Sequence, residues 1–340
     1  MAKKGINILG AIQDIADSLQ DELAELADVL QPDPDEPVGR KPTPEHKKVS
    51  LIIHNPRIPS KGNKPLNAAL GWNDPDELVA GFIKDMRDIS YGYANYQVVE
   101  RIEVDGFPKK ADGFVYRPDD FVQAWRAKKG FHDPDMVDYQ PLLDDFEMVE
   151  KVNAGKVDEF WLFAFPYAGY YESIMAGPGA FWCNAPPLEG IRTNKRFIIM
   201  GFNYQRGVGE MLEAYGHRAE SILKYVFQKK RGNANLWEKF ARYDQQNPGK
   251  AEVGIMHFAP NSTRDYEWGR KNKVMSRCDD WYNFPNFKGE VKEVDCSDWG
   301  NGDIREHHRW WFKHLPHVTG RSRGIAYNWW QYILDPNTVK

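Results

Sequence analysis

The chain has 340 residues, enough for one large domain or two modest ones with a well-buried core. Apolar residues make up 41% and charged residues 28%, the balance of an ordinary soluble globular protein. A net charge of −4 argues against nucleic acid or an anionic membrane as partner, and apolar runs such as FIIMGF at Phe197–Phe202 fall far short of the roughly 20 residues a membrane span needs.

The chain opens MAKKGINILGAIQDIADS, a basic start followed by an apolar segment. Asn7, Gly10 and Gln13 interrupt that segment, acidic residues follow at once and no small-residue cleavage site is present, so a secretory signal is not expected. The corresponding expectation is a cytoplasmic protein, with export by a non-classical route left open.

Within residues 6–31, Ile8, Ile12, Ile15 and Leu19 recur at helical spacing, and Leu23, Leu26 and Leu30 continue the seam after a stutter. The spacing predicts an amphipathic helix over residues 1–31 that docks on its own domain, self-associates, or binds a partner. Its acidic polar face disfavours a membrane surface. Five prolines between Pro32 and Pro44 then predict a stiff linker over 32–48.

From residue 49 strands and helices alternate. VSLIIHN (Val49–Asn55), YQVVERIEV (Tyr96–Val104), DEFWLFAFP (Asp158–Pro166), RFIIMGFNY (Arg196–Tyr204) and AEVGIMHFAP (Ala251–Pro260) read as strands. Helices are expected from Asp76 to Ser90, around 141–153, and over the stretch GEMLEAYGHRAES from Gly209. This pattern predicts an α/β fold over 49–260, with a mostly parallel sheet flanked by helices. Residues 261–340 hold seven tryptophans, from Trp268 to Trp330, among many Asn, Asp and Gly, and read as an irregular aromatic- and His-rich cap on that core. One helix is expected there, near 303–315.

Three features carry chemistry. On the helix after Gly209, Met211, Leu212, Tyr215, Ala219 and Ile222 form a core stripe, and His217 points away from it with Glu210 and Glu213 nearby. Glu213 and His217 are i,i+4 neighbours and His217 and Glu220 are i,i+3 neighbours, so each pair can touch. A carboxylate and an imidazole on adjacent turns can chelate a divalent ion or work as an acid–base pair, although such a face is ordinarily just solvated.

The second feature is GNGDIREHHRWWFKHLPH (Gly300–His317), which holds four of the nine histidines. A cap covering the polar helix face would bring His307 or His308 to Glu213 and His217 as metal ligands. The bland alternative makes His308 a hydrogen-bonded core histidine and the others surface residues.

The third is the set of strand ends, where open α/β sheets bind ligands. His54, Asn55, Arg57, Tyr167, Glu172, Asn203, Arg206, His257 and Asn261 lie there, with Glu172 or Glu210 as candidate general base. Cys183, Cys278 and Cys296 form no CxxC pair, which argues against a thiolate zinc site, and a Cys183 nucleophile would need a positioned histidine. No GxxxxGK or GxGxxG stretch occurs, so no nucleotide cofactor is indicated. CDDW (Cys278–Trp281) and CSDW (Cys296–Trp299) resemble each other and suit either sugar recognition or a turn.

Together these point to a hydrolase acting on a small-molecule, peptide or glycan substrate, with a metal-dependent version using a divalent ion such as zinc. The competing expectation is a non-catalytic, aromatic-rich binding module tethered by its N-terminal helix.

Overall fold

The computed structural model describes residues 8–33 and 38–340, with side chains from Leu19 onward. Residues 1–7 of the expected N-terminal helix, and 34–37 of the expected linker, lie outside the described residues. The chain divides into two compact units. One consists of Thr43–Leu223, Asp303–Lys313 and Trp330–Lys340; the other takes Lys224–Gly302, His314–Trp329 and the described residues up to Pro42.

The first unit is built on five strands, β1 (Glu45–His54), β2 (Ala94–Val104), β3 (Glu159–Ala164), β4 (Ser173–Ala176) and β5 (Phe197–Asn203). They form one sheet in the order β2-β1-β3-β5-β4. All neighbours are parallel except β4, which runs antiparallel to β5 at the edge. The α/β fold with a mostly parallel sheet therefore stands.

Every residue of EFWLFA in β3 is buried, as a central strand covered on both faces requires. Successive side chains point to opposite faces. Phe160 and Leu162 join Ile52, Ile199, Met148 and Val152 in one core cluster. Trp161 faces the other way and meets Phe82 at 5.3 Å between ring centroids.

Phe82 belongs to α1 (Pro75–Ile89), which Asp74 caps by accepting from the Asp76 and Glu77 amides. Pro75 opens that helix, and Leu78, Val79, Met86 and Ile89 are its other buried apolar positions. The helical stretch expected near 141–153 is two short helices, α2 (Tyr139–Asp145) and α3 (Met148–Asn153). The break falls at Glu147, whose φ of 49° no helix continues through.

Val208–Phe227 forms α4, and Ile304–Lys313 forms α5. Because β1 leads to β2 on one side and β3 lies on the other, strand order reverses between β1 and β3, where such sheets open a crevice at their carboxyl ends.

The second unit has an aromatic core. Trp281 meets Phe240 at 5.0 Å, Phe287 at 5.1 Å and Trp329 at 5.6 Å. The N-terminal helix, Ile8–Val29, buries Leu26 and Val29 here, and Leu30 just beyond its end is buried too. Ser322 Oγ donates to the Val29 carbonyl at 2.6 Å and Arg323 pairs with Asp28 at 2.8 Å. From Leu19 on, the apolar seam thus packs within its own unit.

Two short strands, Val274–Ser276 and Lys292–Val294, pair antiparallel. Each runs into a 3-10 turn, Cys278–Asn283 and Cys296–Trp299, so CDDW and CSDW are turns whose tryptophans are buried.

Residues 251–260 are not a strand, and only isolated bridges pair Ala251 with Ser276 and Ile255 with Phe258. Their apolar side chains are largely buried, but Gly254 turns the chain at φ +89°, where a Cβ would stand 2.2 Å from the Phe258 carbonyl oxygen. Hydrophobicity reported burial there, and the glycine dictated a loop. Among the described residues, no helix is long and apolar enough to cross a membrane.

Candidate functional site

In the α/β unit, a cavity of about 210 Å³ opens at the carboxyl ends of β3 and β5 beside the first turns of α4. Both carboxylates singled out as candidate bases, Glu172 and Glu210, line it. Asp135, Arg206, Tyr167 and Tyr170 line it as well.

Its walls are set by backbone placement. Beyond β3 the chain reaches Tyr167 at φ 64° and Gly169 at φ 87°. A Cβ on Gly169 would overlap the Asp135 carbonyl oxygen at 1.8 Å, so only glycine lets these two loops meet. Lys110, completely buried, fastens them by donating to the carbonyls of Tyr167 (2.6 Å) and Asp135 (2.9 Å) and to Asp135 Oδ1 (2.6 Å). Burial pulls the Lys110 ammonium below its ordinary pKa, with the Asp135 hydrogen bond and charge opposing that pull. The Tyr167 ring stacks on Phe131 at 3.6 Å.

Glu172 immediately precedes edge strand β4, and its carbonyl accepts from the Gly201 amide of β5 at 3.1 Å. Its Oε2 accepts from Asn184 Nδ2 at 2.6 Å, and the Asn184 amide donates to Ser221 Oγ of α4 at 3.1 Å. Glu210 sits in the first turn of α4, where its Oε2 accepts from the Gly207 amide at 3.0 Å. Two carboxylates from different elements are thus oriented by donors and share one cavity.

The polar side of α4 is less wet than its periodicity implies. Glu213 is buried and His217 is partly buried there, while Arg218, on the apolar stripe between Tyr215 and Ile222, is fully buried. His217 Nδ1 lies 2.9 Å from Glu220 Oε2, and its Nε2 lies 3.9 Å from Glu213 Oε1. Burial alone would lower the imidazole's pKa; the Glu220 hydrogen bond and the charges of Glu220, Glu172 and Glu213 raise it instead. His217 therefore senses Glu172 of the cavity wall, a coupling that helical spacing does not show.

His307 and His308 sit elsewhere in this unit. Both are fully buried in α5, with their Nδ1 atoms 2.9 Å apart, so one ring donates and the other accepts. Burial drives the His307 pKa down to about 3. Asp303 caps the helix by accepting from the Glu306 amide at 2.9 Å. α5 meets α4 through Phe312 against Tyr215, 5.9 Å between centroids, and through Ile304 against Gly209. Among the described residues, every trio of ligand-type side chains whose atoms lie within 4.8 Å of one another leaves out His307 and His308.

The other strand-end candidates have structural partners. His54 is buried with its Nδ1 2.8 Å from the Tyr170 hydroxyl, and burial lowers its pKa to about 4. Asn55 Nδ2 donates to Asn67 Oδ1 at 3.0 Å. In the other unit, His257 Nδ1 lies 3.0 Å from Asp265, and Asn261 Nδ2 donates to the carbonyls of Arg270 and Asn272. Cys183 is fully buried, and burial pushes its thiol up to about 11, far from a nucleophile's range.

Asp135 and Lys110 were not anticipated. Both lie in irregular stretches, Lys110 six residues beyond the end of β2 at Val104 and Asp135 far in sequence from any strand, and no periodicity marks them. Comparison of the chain with protein-family models, with curated proteins and with solved structures gives no match.

Proposed function

We propose that the chain is a hydrolase whose active site is the cavity at the carboxyl ends of β3 and β5, and that its substrate is sugar-like. The observation supporting this is that Glu172 and Glu210, from separate elements, line one cavity. Glycosidic hydrolysis needs two carboxyl groups, one to protonate the leaving oxygen and one to activate water or attack. The Gly207 amide donates to Glu210 and the Asn184 side-chain amide donates to Glu172, so both carboxylates are held in place, one to act as general base and the other as general acid.

Phe165, Tyr167 and Tyr170 supply ring surface for the apolar faces of a sugar, while Asp135, Asn203 and Arg206 supply partners for its hydroxyls. In the metal-dependent version, Glu213 and His217 hold a divalent ion such as zinc beside Glu172.

The test is a screen of the full-length protein on chromogenic glycosides and peptide anilides, with Glu172→Gln and Glu210→Gln beside it. Glycoside turnover that drops by about 10²–10⁴ in each variant supports the assignment. Saturable glycan binding without turnover would make the chain the non-catalytic binding module instead. Turnover unaffected by either variant would remove the cavity from the chemistry.

A further inference from the structure

In the second unit, three side chains of metal-ligating type converge from positions 35 residues apart. Cys278 Sγ lies 3.6 Å from Asp279 Oδ1, and His314 Nε2 lies 3.5 Å from the same oxygen. All three ligand atoms fall within 4.8 Å of one another. Tetrahedral zinc, with Zn–S near 2.3 Å and Zn–N or Zn–O near 2.0 Å, holds its ligand atoms about 3.3–3.5 Å apart. The two observed edges are close to those of that tetrahedron before any ion enters.

The surroundings hold the three in place. Cys278 and His314 are buried, and Asp279 is partly exposed, leaving a route for an ion and a water. The Cys278 amide donates to Ser276 Oγ at 3.0 Å, and Ser276 Oγ donates to the Glu252 carbonyl at 2.7 Å, which fixes the start of the 3-10 turn. Tyr282 covers the His314 ring, 4.4 Å between centroids. Lys292 Nζ binds the other oxygen of Asp279, Oδ2, at 2.7 Å and reaches Asp298 at 3.1 Å. It therefore orients the carboxylate while Oδ1 is turned toward the thiol and the imidazole, the arrangement of an outer-shell partner around a metal ligand.

We infer that Cys278, Asp279 and His314 form a zinc-binding site of one thiolate, one carboxylate and one imidazole, with water as the fourth ligand. It is separate in residues and in unit from the Glu172–Glu210 cavity and does not depend on the function proposed for that cavity. Binding turns the Cys278 thiol into a thiolate and releases its proton to solvent, so affinity rises with pH. The ion ties the turn after Val274–Ser276 to the segment that begins at His314.

The experiment titrates the full-length, chelator-treated protein with Co²⁺, which takes the same ligands as zinc and reports a thiolate ligand as a sulfur-to-metal charge-transfer band. The expected result is a band that saturates at one equivalent, is displaced by Zn²⁺, persists in Cys183→Ser and disappears in Cys278→Ser. Asp279→Asn, at a partly exposed position, should weaken binding by about tenfold or more while the protein stays folded. An ion held by Glu213 and His217 gives no such band, because neither ligand is sulfur. Absence of the band in the unaltered protein overturns the site, as does its persistence in Cys278→Ser or an unchanged affinity in Asp279→Asn.

Discussion

Arg218 Nη1 lies 2.9 Å from Glu159 Oε2, and both side chains are buried beneath the sheet of the α/β unit. Arg218 also donates to the Ile333 carbonyl through Nε (3.1 Å) and Nη2 (2.7 Å), and Trp161 Nε1 donates to Glu159 Oε1 at 2.7 Å. Burial works against the guanidinium's charge, but Glu159 raises its pKa, so Arg218 stays charged. Arg218→Met strands the carboxylate and should cost about 3–5 kcal/mol in chemical denaturation. Adding Glu159→Leu to Arg218→Met should recover more than half of that loss. A single-variant loss below about 1 kcal/mol would show that the pair is not held as described.

His54 should make the α/β unit sensitive to mild acid. Its folded pKa is lowered by burial from 6.5 to about 4, so the unfolded chain binds a proton first. Stability is then intact above about pH 6.5 and falls as pH drops towards 4, by about 3 kcal/mol at most. Thermal melts from pH 7 to pH 4 should show this slope, and His54→Gln should flatten it. An identical slope in the variant would assign the acid sensitivity to other groups.

The N-terminal helix carries a titration of opposite chemistry. Glu22 accepts from Lys239 and Arg277, each at 2.8 Å. Burial alone would raise its pKa, but the hydrogen bonds and charges of Lys239 and Arg277 lower it from 4.5 to about 2. Its contribution is present above pH 4.5 and is lost as pH falls through about 2. Glu22→Gln should cost about 1–3 kcal/mol at pH 7 and almost nothing at pH 2. A chain beginning at Thr43 should melt earlier and precipitate, because the surface that Leu26, Val29 and Leu30 bury would be bare. If instead it stays soluble and forms smaller particles than the full-length protein in sedimentation, the helix is a self-association element.

Gly169 should control the cavity from its wall. An alanine there carries a Cβ into the Asp135 carbonyl, at a φ of +87° that alanine disfavours. Gly169→Ala should therefore cost more than about 1 kcal/mol and move the Tyr167 loop. Glycoside turnover should fall without any carboxylate having been touched. Unchanged turnover with the expected loss of stability would place the reacting groups away from that loop.

Much of the fold was readable because apolar periodicity survives in a single sequence. The runs Val49–Asn55, Asp158–Pro166 and Arg196–Tyr204 became β1, β3 and β5, since buried strands need largely unbroken apolar stretches, and the alternating run Tyr96–Val104 became the half-exposed edge strand β2. Strand β4 escaped notice because Ser173–Ala176 is only four residues at an edge, too short for a period. The same blindness turned Ala251–Pro260 into an expected strand, because hydropathy registers burial and ignores the backbone turn at Gly254.

At the site the division is similar. That Glu172 and Glu210 line the cavity at the strand ends was legible because they follow the carboxyl ends of β3 and β5 by eight and seven residues, where such sheets open a crevice. The pairing of Glu213 with His217, and of His217 with Glu220, follows from helical geometry alone.

What covers those residues depended on contacts between segments far apart in the chain. Only the packed structure turned His307 and His308 toward each other, buried Arg218 against Glu159, set Lys110 across the Tyr167 and Asp135 loops, and brought His314 to Cys278 and Asp279. Local periodicity places a side chain on a face of its own element; the partner it meets there is chosen by tertiary packing, which no spacing along the chain encodes.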